Sequence, residues 1–572
     1  MSPGSTRVLH EIHEKHEKQV QGACGDSPRN LPLAQSGQES RWQRAAVRSS
    51  LGSLEASFRG RCTEPPGSHH REIVMIRIVA LSLVALYAAL LAAMRFHLCL
   101  NDFWAWSFLA GHSEISDAAS LQNGFMPPAY VLYLKAIGSA LGPAREISGA
   151  FALSLAAVFV TAVATAKLAC AGVANGRHQT WVGVLTIVLL ALWPPFLQSG
   201  MTAGPDIVVA ALVAIAALLH WRDEQRIRQS ILAGALLGLA ILVRGHALFA
   251  AIGILIAPLV LQRRFDRPAL APVLGILVAL LAQTWFNLAA GVPAWSTGQA
   301  FNVYKMMYGI DWFTPVRPES ISVAQLILDD PGRFLYEWAG AFRRAGQWLL
   351  GPAIALFWAW RRQSAGLLRL SLLALIAGAV YTVPVSLGDS PRTAVVIGAM
   401  LVAPLALLIA ELRATGPRLL PLLLALLIGF GFVQSLRQDR AFLEHNRAQA
   451  RDFEAVENLL LASGASSAIA VFSDDFDLYF RELDGARPLT RGGWGVIGID
   501  GWEDRFPQLP TDDVPGFLAA CRAHDVRYLA LTSSSARLGP GFAVLRDDPR
   551  AVGVLPLGVC GQFHVLELPA GP

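Results

Sequence analysis

The chain has 572 residues, 54% of them hydrophobic and only 16% charged, whereas a soluble protein of this size carries roughly a quarter charged residues. Apolar runs of about twenty residues recur along it, which excludes an ordinary soluble fold and predicts an all-α polytopic membrane protein. The net charge of +5 belongs to topology rather than to nucleic acid, because basic residues crowd the cytoplasmic loops of membrane proteins. No basic groove with interleaved aromatics stands out, so no nucleic-acid partner is expected.

In chain order, residues 1–70 are polar, aperiodic and rich in Gly, Ser and Arg. They lack the apolar mass to fold and read as a disordered tail. Met75 opens MIRIVALSLVALYAALLAAMRF, which has the look of a natural start. A transmembrane domain is expected over 71–437, with spans near 73–96, 148–169, 181–198, 204–221, 230–244, 246–262, 269–290, 345–361, 366–386, 392–411 and 418–435, about eleven in all. The pair flanking Arg244 and His246 is short for a bilayer, so a tilt or a break is expected there.

Basic loops occur at 221–229, 262–268, 361–363 and 412–418. They alternate correctly if all four are cytoplasmic. The count leaves no crossing for 97–146, so this segment and the loop 291–344 fall on the outer face. Within 97–146, LQNGFMPPAYVLYLKAI then reads as a juxtamembrane or re-entrant helix, with Pro127 and Pro128 in the first turn, where no backbone donor is needed. Arg437 and Arg440 run against the rule, since they follow the last span on the expected outside.

After the last span the composition changes. An amphipathic helix near 446–461, the stretch AIAVFS, a helix-then-strand in PGFLAACRAHDVRYLAL and a final strand in GQFHVLELP predict a small extracytoplasmic α/β domain over 438–572. It carries no glycine-rich phosphate loop. Cys521 and Cys560 both fall there; an exported domain would let them pair, and two separate buried thiols are the alternative.

Charged residues in or beside spans are costly and are functional candidates. On the expected outer face these are Asp102 in LNDFWAW, Asp206 in TAGPDIVV, Arg244 and His246 in AILVRGHALF, and Arg392 in GDSPRTAVV. Each has a bland reading. Asp206 suits a first helical turn, where a carboxylate meets the helix dipole. Arg244 and Arg392 suit span ends, from which arginines snorkel to headgroups. The aromatics around Asp102 suit an interfacial belt, and a lone His246 suits a hydrogen-bonded structural role. Their gathering at one boundary points further, to group transfer at a membrane surface. A carboxylate can take a proton from an acceptor, and arginines can hold a departing phosphate through forked, charge-assisted hydrogen bonds.

The ordered set Asp102, NGFMPPAYVLYL, GPD opening a span, AGALLGLAILVRGHAL and FNLAAGVPAWSTGQAFNVYKMMYGIDW resembles the multispanning GT-C glycosyltransferases. These include dolichyl-phosphate-mannose protein mannosyltransferases and bacterial lipid A aminoarabinose transferases. The resemblance covers most of 73–400. It implies a glycosyltransferase of the cytoplasmic membrane, active at its outer face on a polyprenyl-phosphate-linked sugar, with membrane lipids and an unidentified glycan, lipid or protein acceptor as partners; the sequence points to no cofactor and leaves a divalent metal open. It implies Asp102 as general base with Asp206 as the second acid. Arg244, Arg392 and Lys305 fall at donor-phosphate positions. His246, Asn123, Pro127, Pro128 and Tyr130 line the cavity, which the Pro-Pro helix frames. Two positions depart from the family pattern: Asn101-Asp102-Phe103 stands where many relatives have Asp-Glu, and Thr393 follows Arg392 where many have tyrosine. Two other readings carry different functions. One is a transporter or flippase, against which no inverted repeat is visible. The other is a silent assembly subunit that kept the fold.

Overall fold

The computed structural model describes residues 68–93, 127–142, 146–173, 179–221, 227–262, 266–289, 322–382, 391–415, 419–464, 469–473, 486–489, 513–523, 525–532 and 540–569, with a few residues between them, among them Trp106, Ala110, 303–304 and 307–308. Residues 1–67 of the expected tail, and most of the segments 97–126 and 295–321, lie outside these, and so do Asp102, Asn123 and Lys305.

Helices dominate: α1 Ser68–Ala93, α2 Pro128–Leu141, α3 Glu146–Ala171, α4 Gln179–Ala191, α5 Pro194–Gly200, α6 Pro205–His220, α7 Ile227–Val243, α8 Ala247–Gln262, α9 Arg267–Leu270 and α10 Pro272–Ala289. Then follow α11 Val323–Asp329, α12 Pro331–Arg362, α13 Ala365–Tyr381, a 3-10 turn Pro391–Ile397, α14 Gly398–Thr415 and α15 Leu419–Ala462. Among the described residues, four stretches are long and apolar enough to cross a bilayer: Val74–Ala92, Glu146–Ala171, Arg267–Ala289 and Thr393–Ala414. The bent pair α4–α5 brings the number to five, and α6, α7, α8 and α13 are shorter apolar helices.

Proline punctuation shapes this bundle. The expected single span 181–198 is in fact α4 and α5, bent by 74°. Pro194 and Pro195 supply no backbone donor, and Trp193 before them is held extended (φ −96°, ψ 112°), as the residue before a proline must be. The expected break at Arg244 and His246 is present: α7 stops at Val243, and α8 starts after Arg244-Gly245-His246.

Packing within the bundle relies on small residues. A Cβ on Gly275 of α10 would lie 2.2 Å from the backbone of Gly234 on α7, and one on Gly238 would lie 2.5 Å from the carbonyl of Gly275. The two backbones therefore touch, the close approach that a small-xxx-small pattern such as Gly234–Gly238 permits. The opposite face of α10 exposes Leu277, Leu281, Trp285 and Leu288, as a lipid-facing surface does.

The 437/438 boundary drawn from composition falls inside α15, which runs unbroken from the bundle into the C-terminal domain. That domain is a five-stranded sheet in the order β2-β1-β3-β5-β4, built from β1 Ile469–Ser473, β2 Ala486–Leu489, β3 Val526–Leu531, β4 Leu555–Cys560 and β5 Phe563–Glu567. Strands β2, β1 and β3 are parallel, and β5 is antiparallel to both β3 and β4. The last turns of α15 cover one face through Phe453, Val456 and Leu460. Helices α16, Val514–Ala523, and α17, Pro540–Asp547, cover the other through Phe517 and Phe542. This geometry decides between the two alternatives for the cysteines: Cys521 packs on the α16 face, Cys560 on the α15 face, and both are free buried thiols.

Candidate functional site

The site is built where helices stop. After a four-residue turn, 201–204, Pro205 opens α6 and puts Asp206 in its first turn. The Ncap residue is Gly204, and Asp206 does not cap. Instead its Oδ1 lies 3.1 Å from Nε of Arg244, at the α7 terminus, with both side chains about nine-tenths buried. The contact is an ion pair rather than an aligned hydrogen bond, and Oδ1 accepts no hydrogen bond among the described residues. A guanidinium kept out of lipid by a carboxylate partner is the arrangement that makes an intramembrane charge tolerable. The readings of Arg244 as a snorkelling residue and Asp206 as a plain cap are therefore set aside.

His246, two residues on, is 2% exposed. Its ring meets Tyr381 edge to face, centroids 5.7 Å apart. Tyr381, the last residue of α13, donates its phenol proton to the Thr393 carbonyl at 3.0 Å and sits within electrostatic reach of both Asp206 and Arg244. It thus ties the α7–α8 corner to the 3-10 turn that carries Arg392. The Arg392 side chain itself lies outside the described residues. Sequence reading missed Tyr381, because a tyrosine at the end of an apolar run looks like an interfacial anchor. Its distance of 12 residues from Thr393 gives no period to read.

The Pro-Pro helix reaches the same corner. Pro127 is the Ncap of α2, with no side-chain cap, and Pro128 occupies its first turn; both are buried. Tyr130 is fully buried and donates a 2.9 Å hydrogen bond to the Ala203 carbonyl, three residues before Asp206. Ser154 of α3 donates to the neighbouring Thr202 carbonyl at 2.9 Å. The 201–204 turn that aims Asp206 is therefore held from two sides. Trp106 packs edge-on against Tyr130 at 5.4 Å; Asp102 lies outside the described residues.

A satellite layer closes from the 291–344 segment. Val303, Met307, Leu326 and Phe334 form a small apolar cluster. Arg333 lies over the Tyr308 ring, 4.7 Å from its centroid, and Trp338 donates from Nε1 to Thr382 Oγ1 at 2.8 Å, next to Tyr381. Among the described residues, no group of three or more His, Cys, Asp or Glu is placed to hold a metal.

The bundle and its buried acid-arginine pair define a helical membrane protein with a site at breaks between helices. Residues 127–286 match the family model described as dolichyl-phosphate-mannose-protein mannosyltransferase, a stretch that contains Tyr130, Asp206, Arg244 and His246. The resemblance to multispanning GT-C glycosyltransferases rests on that match. Among solved structures, ArnT from Cupriavidus metallidurans is similar at 15% identity in its apo state, covering 86% of this chain and 99% of that one (TM-score 0.49). The same protein bound to undecaprenyl phosphate is similar at 16% identity, over the same shares and with the same TM-score of 0.49. The Archaeoglobus fulgidus oligosaccharyltransferase is similar at 12% identity over 86% of this chain and 72% of that one (TM-score 0.43). No curated protein matches this chain in sequence.

Proposed function

We propose that this protein is a membrane glycosyltransferase that moves a sugar from a polyprenyl-phosphate-linked donor to an acceptor at the outer face of the cytoplasmic membrane. One observation carries the reading: a buried Asp206–Arg244 pair, 3.1 Å apart, at helix breaks within the segment that matches a lipid-phosphate-sugar transferase family. The acceptor oxygen or nitrogen attacks the anomeric carbon, the bond from that carbon to the donor phosphate oxygen breaks, and polyprenyl phosphate leaves. Asp102 takes the acceptor's proton. Arg244, with Arg392 and Lys305, holds the phosphate as its charge grows, and Asp206 fixes the Arg244 guanidinium. Pro127, Pro128, Tyr130 and His246, with Asn123, line the cavity beneath the 291–344 segment. The eleven-span topology and an extracytoplasmic C-terminal domain belong to this reading, because both place the site and the domain on one side.

The test is mass spectrometry of envelope glycans and lipids from cells carrying the wild-type chain, Asp102→Asn, Asp206→Asn or Arg244→Ala. Loss of a general base typically costs ~10²–10⁴-fold in rate, so the product made by wild type should vanish with Asp102→Asn at unchanged protein level. Arg244→Ala should weaken donor binding, since a charge-assisted hydrogen bond contributes about 1.5–3 kcal/mol. No glycan difference between cells with and without the gene would defeat the proposal and favour a transporter or a silent subunit.

A further inference from the structure

Two neighbouring polar residues at the end of α13 reach different elements. Tyr381 donates to the Thr393 carbonyl at 3.0 Å and packs edge-on against His246. Thr382, the next residue, is fully buried and accepts from Trp338 Nε1 of α12 at 2.8 Å, across 44 residues of chain. Its own hydroxyl proton goes to the Ala379 carbonyl at 2.6 Å. The hydroxyl therefore donates within α13 and accepts from α12 at once, while an indole N–H can only donate.

The Trp338 end of this bond belongs to the outer layer. Its half-buried ring packs on the cluster of Val303, Met307, Leu326 and Phe334. Arg333, one turn before it, donates from Nε to the Met307 carbonyl and lies over the Tyr308 ring. The described residues of 303–308 are thus held to the first turns of α12 by apolar packing, a hydrogen bond and a cation–π contact. Keeping α12 on α13 does not require Trp338. Farther along, Leu349 packs so tightly on Gly378 that a Cβ there would lie 2.4 Å from its side chain. What the indole bond adds is a fixed relation between the outer layer and the 381–382 junction.

We infer that Trp338 is a positioning residue for the proposed transfer. Its bond to Thr382 fixes the outer layer to the junction. The junction in turn sets the 3-10 turn Pro391–Ile397 through the Thr393 carbonyl, and the Arg244–His246 corner through the His246 ring. The cations proposed for the donor phosphate come from both sides of this link. Lys305 stands within 303–308, Arg392 precedes Thr393, and Arg244 is two residues from His246. A phosphate held by all three needs them in one register, and Trp338 supplies that register through Thr382. The donor part of the inference rests on the transferase reading; the link between the two segments does not.

The experiment uses the full chain in nanodiscs, with hydrogen exchange read on peptides over 303–308 and 391–397. Undecaprenyl phosphate binding is titrated by native mass spectrometry on the same preparations. Trp338→Phe keeps a ring and removes the donor; Thr382→Val keeps the shape and removes the acceptor. Each should speed exchange in both segments and weaken binding ~3- to 10-fold, the range for one neutral hydrogen bond. The double variant should be no worse than either single one, because both remove the same bond. Thr382→Ser, which keeps the hydroxyl, should restore both readouts, and Trp285→Phe on the lipid-facing side of α10 should change neither. Faster exchange at 303–308 with 391–397 unmoved, additive losses in the double variant, or no rescue by serine overturns the inference and leaves the transferase reading standing. A wild type that binds no undecaprenyl phosphate defeats that reading and the positioning role together, even where the exchange coupling holds.

Discussion

At the residue scale, Arg244 and Asp206 depend on each other. Removing one member of a buried pair leaves an uncompensated charge, which typically costs about 3–5 kcal/mol. Asp206→Ala should therefore lower thermal stability as well as transfer, while the double variant Asp206→Asn/Arg244→Gln recovers stability without activity. Thermal melts of the three purified proteins check this, and additive losses in the double variant would count against the pair. Asp439, buried on α15, makes a pH prediction. Its carboxyl sits near 7 when folded and near 4 when unfolded, so between those values the native state binds the extra proton. Stability should fall as pH rises from about 4 to about 7 and level off above that. Melting temperatures at pH 5.5 and 8 should differ in the wild type, and the difference should shrink in Asp439→Asn.

At the element scale, α2 and the 201–204 turn act together through Tyr130. Tyr130→Phe keeps the ring packed on Trp106 but strands the Ala203 carbonyl. The lost hydrogen bond is worth about 0.5–1.5 kcal/mol, and the larger consequence is a loosened Asp206. Turnover should drop more than melting temperature, a difference that activity and melts on one preparation resolve. The α7–α10 contact leaves no room for a side chain at Gly275. Gly275→Val should force the helices apart at a cost of about 1–3 kcal/mol, read as reduced yield of folded protein. In the C-terminal domain, burial raises both thiols, Cys521 more strongly. With a sheet between them, the two should appear as free thiols in non-reducing peptide mass spectrometry of the native chain.

At the scale of the whole molecule, α15 joins two environments without a linker. Its first half contacts the bundle and its last turns the sheet, so the side on which the last span ends is also the domain's side. The loops that alternate in charge predict which side that is. Single cysteines introduced at Asp474 and at Arg226 should be labelled from opposite sides of the membrane by an impermeant maleimide. Labelling of both from one side would remove the outer-face assignment of the site.

Hydropathy made the helical membrane class legible, because a bilayer demands long apolar runs and the chain spells them out one after another. Pro127 and Pro128, GPD before Asp206, and the interruption at Arg244 and His246 were legible too, since each is a local backbone event written in adjacent residues. What lay beyond the sequence was long-range and aperiodic. No spacing tells that Arg244 turns to Asp206 rather than to a headgroup, or that Tyr381 reaches Thr393. Likewise no spacing tells that Asp439 turns inward while Arg437 and Arg440 stay out. The span expected over 181–198 is bent, because Pro194 and Pro195 interrupt its backbone hydrogen bonds, which average hydropathy does not register. Of the two alternatives for Cys521 and Cys560, separate thiols hold, because the helix carrying Cys521 packs on one face of the sheet and Cys560 points to the other. Composition decided which solvent each segment meets; only tertiary packing decided which buried charges and hydroxyls meet each other, since partners are chosen by proximity after the helices assemble.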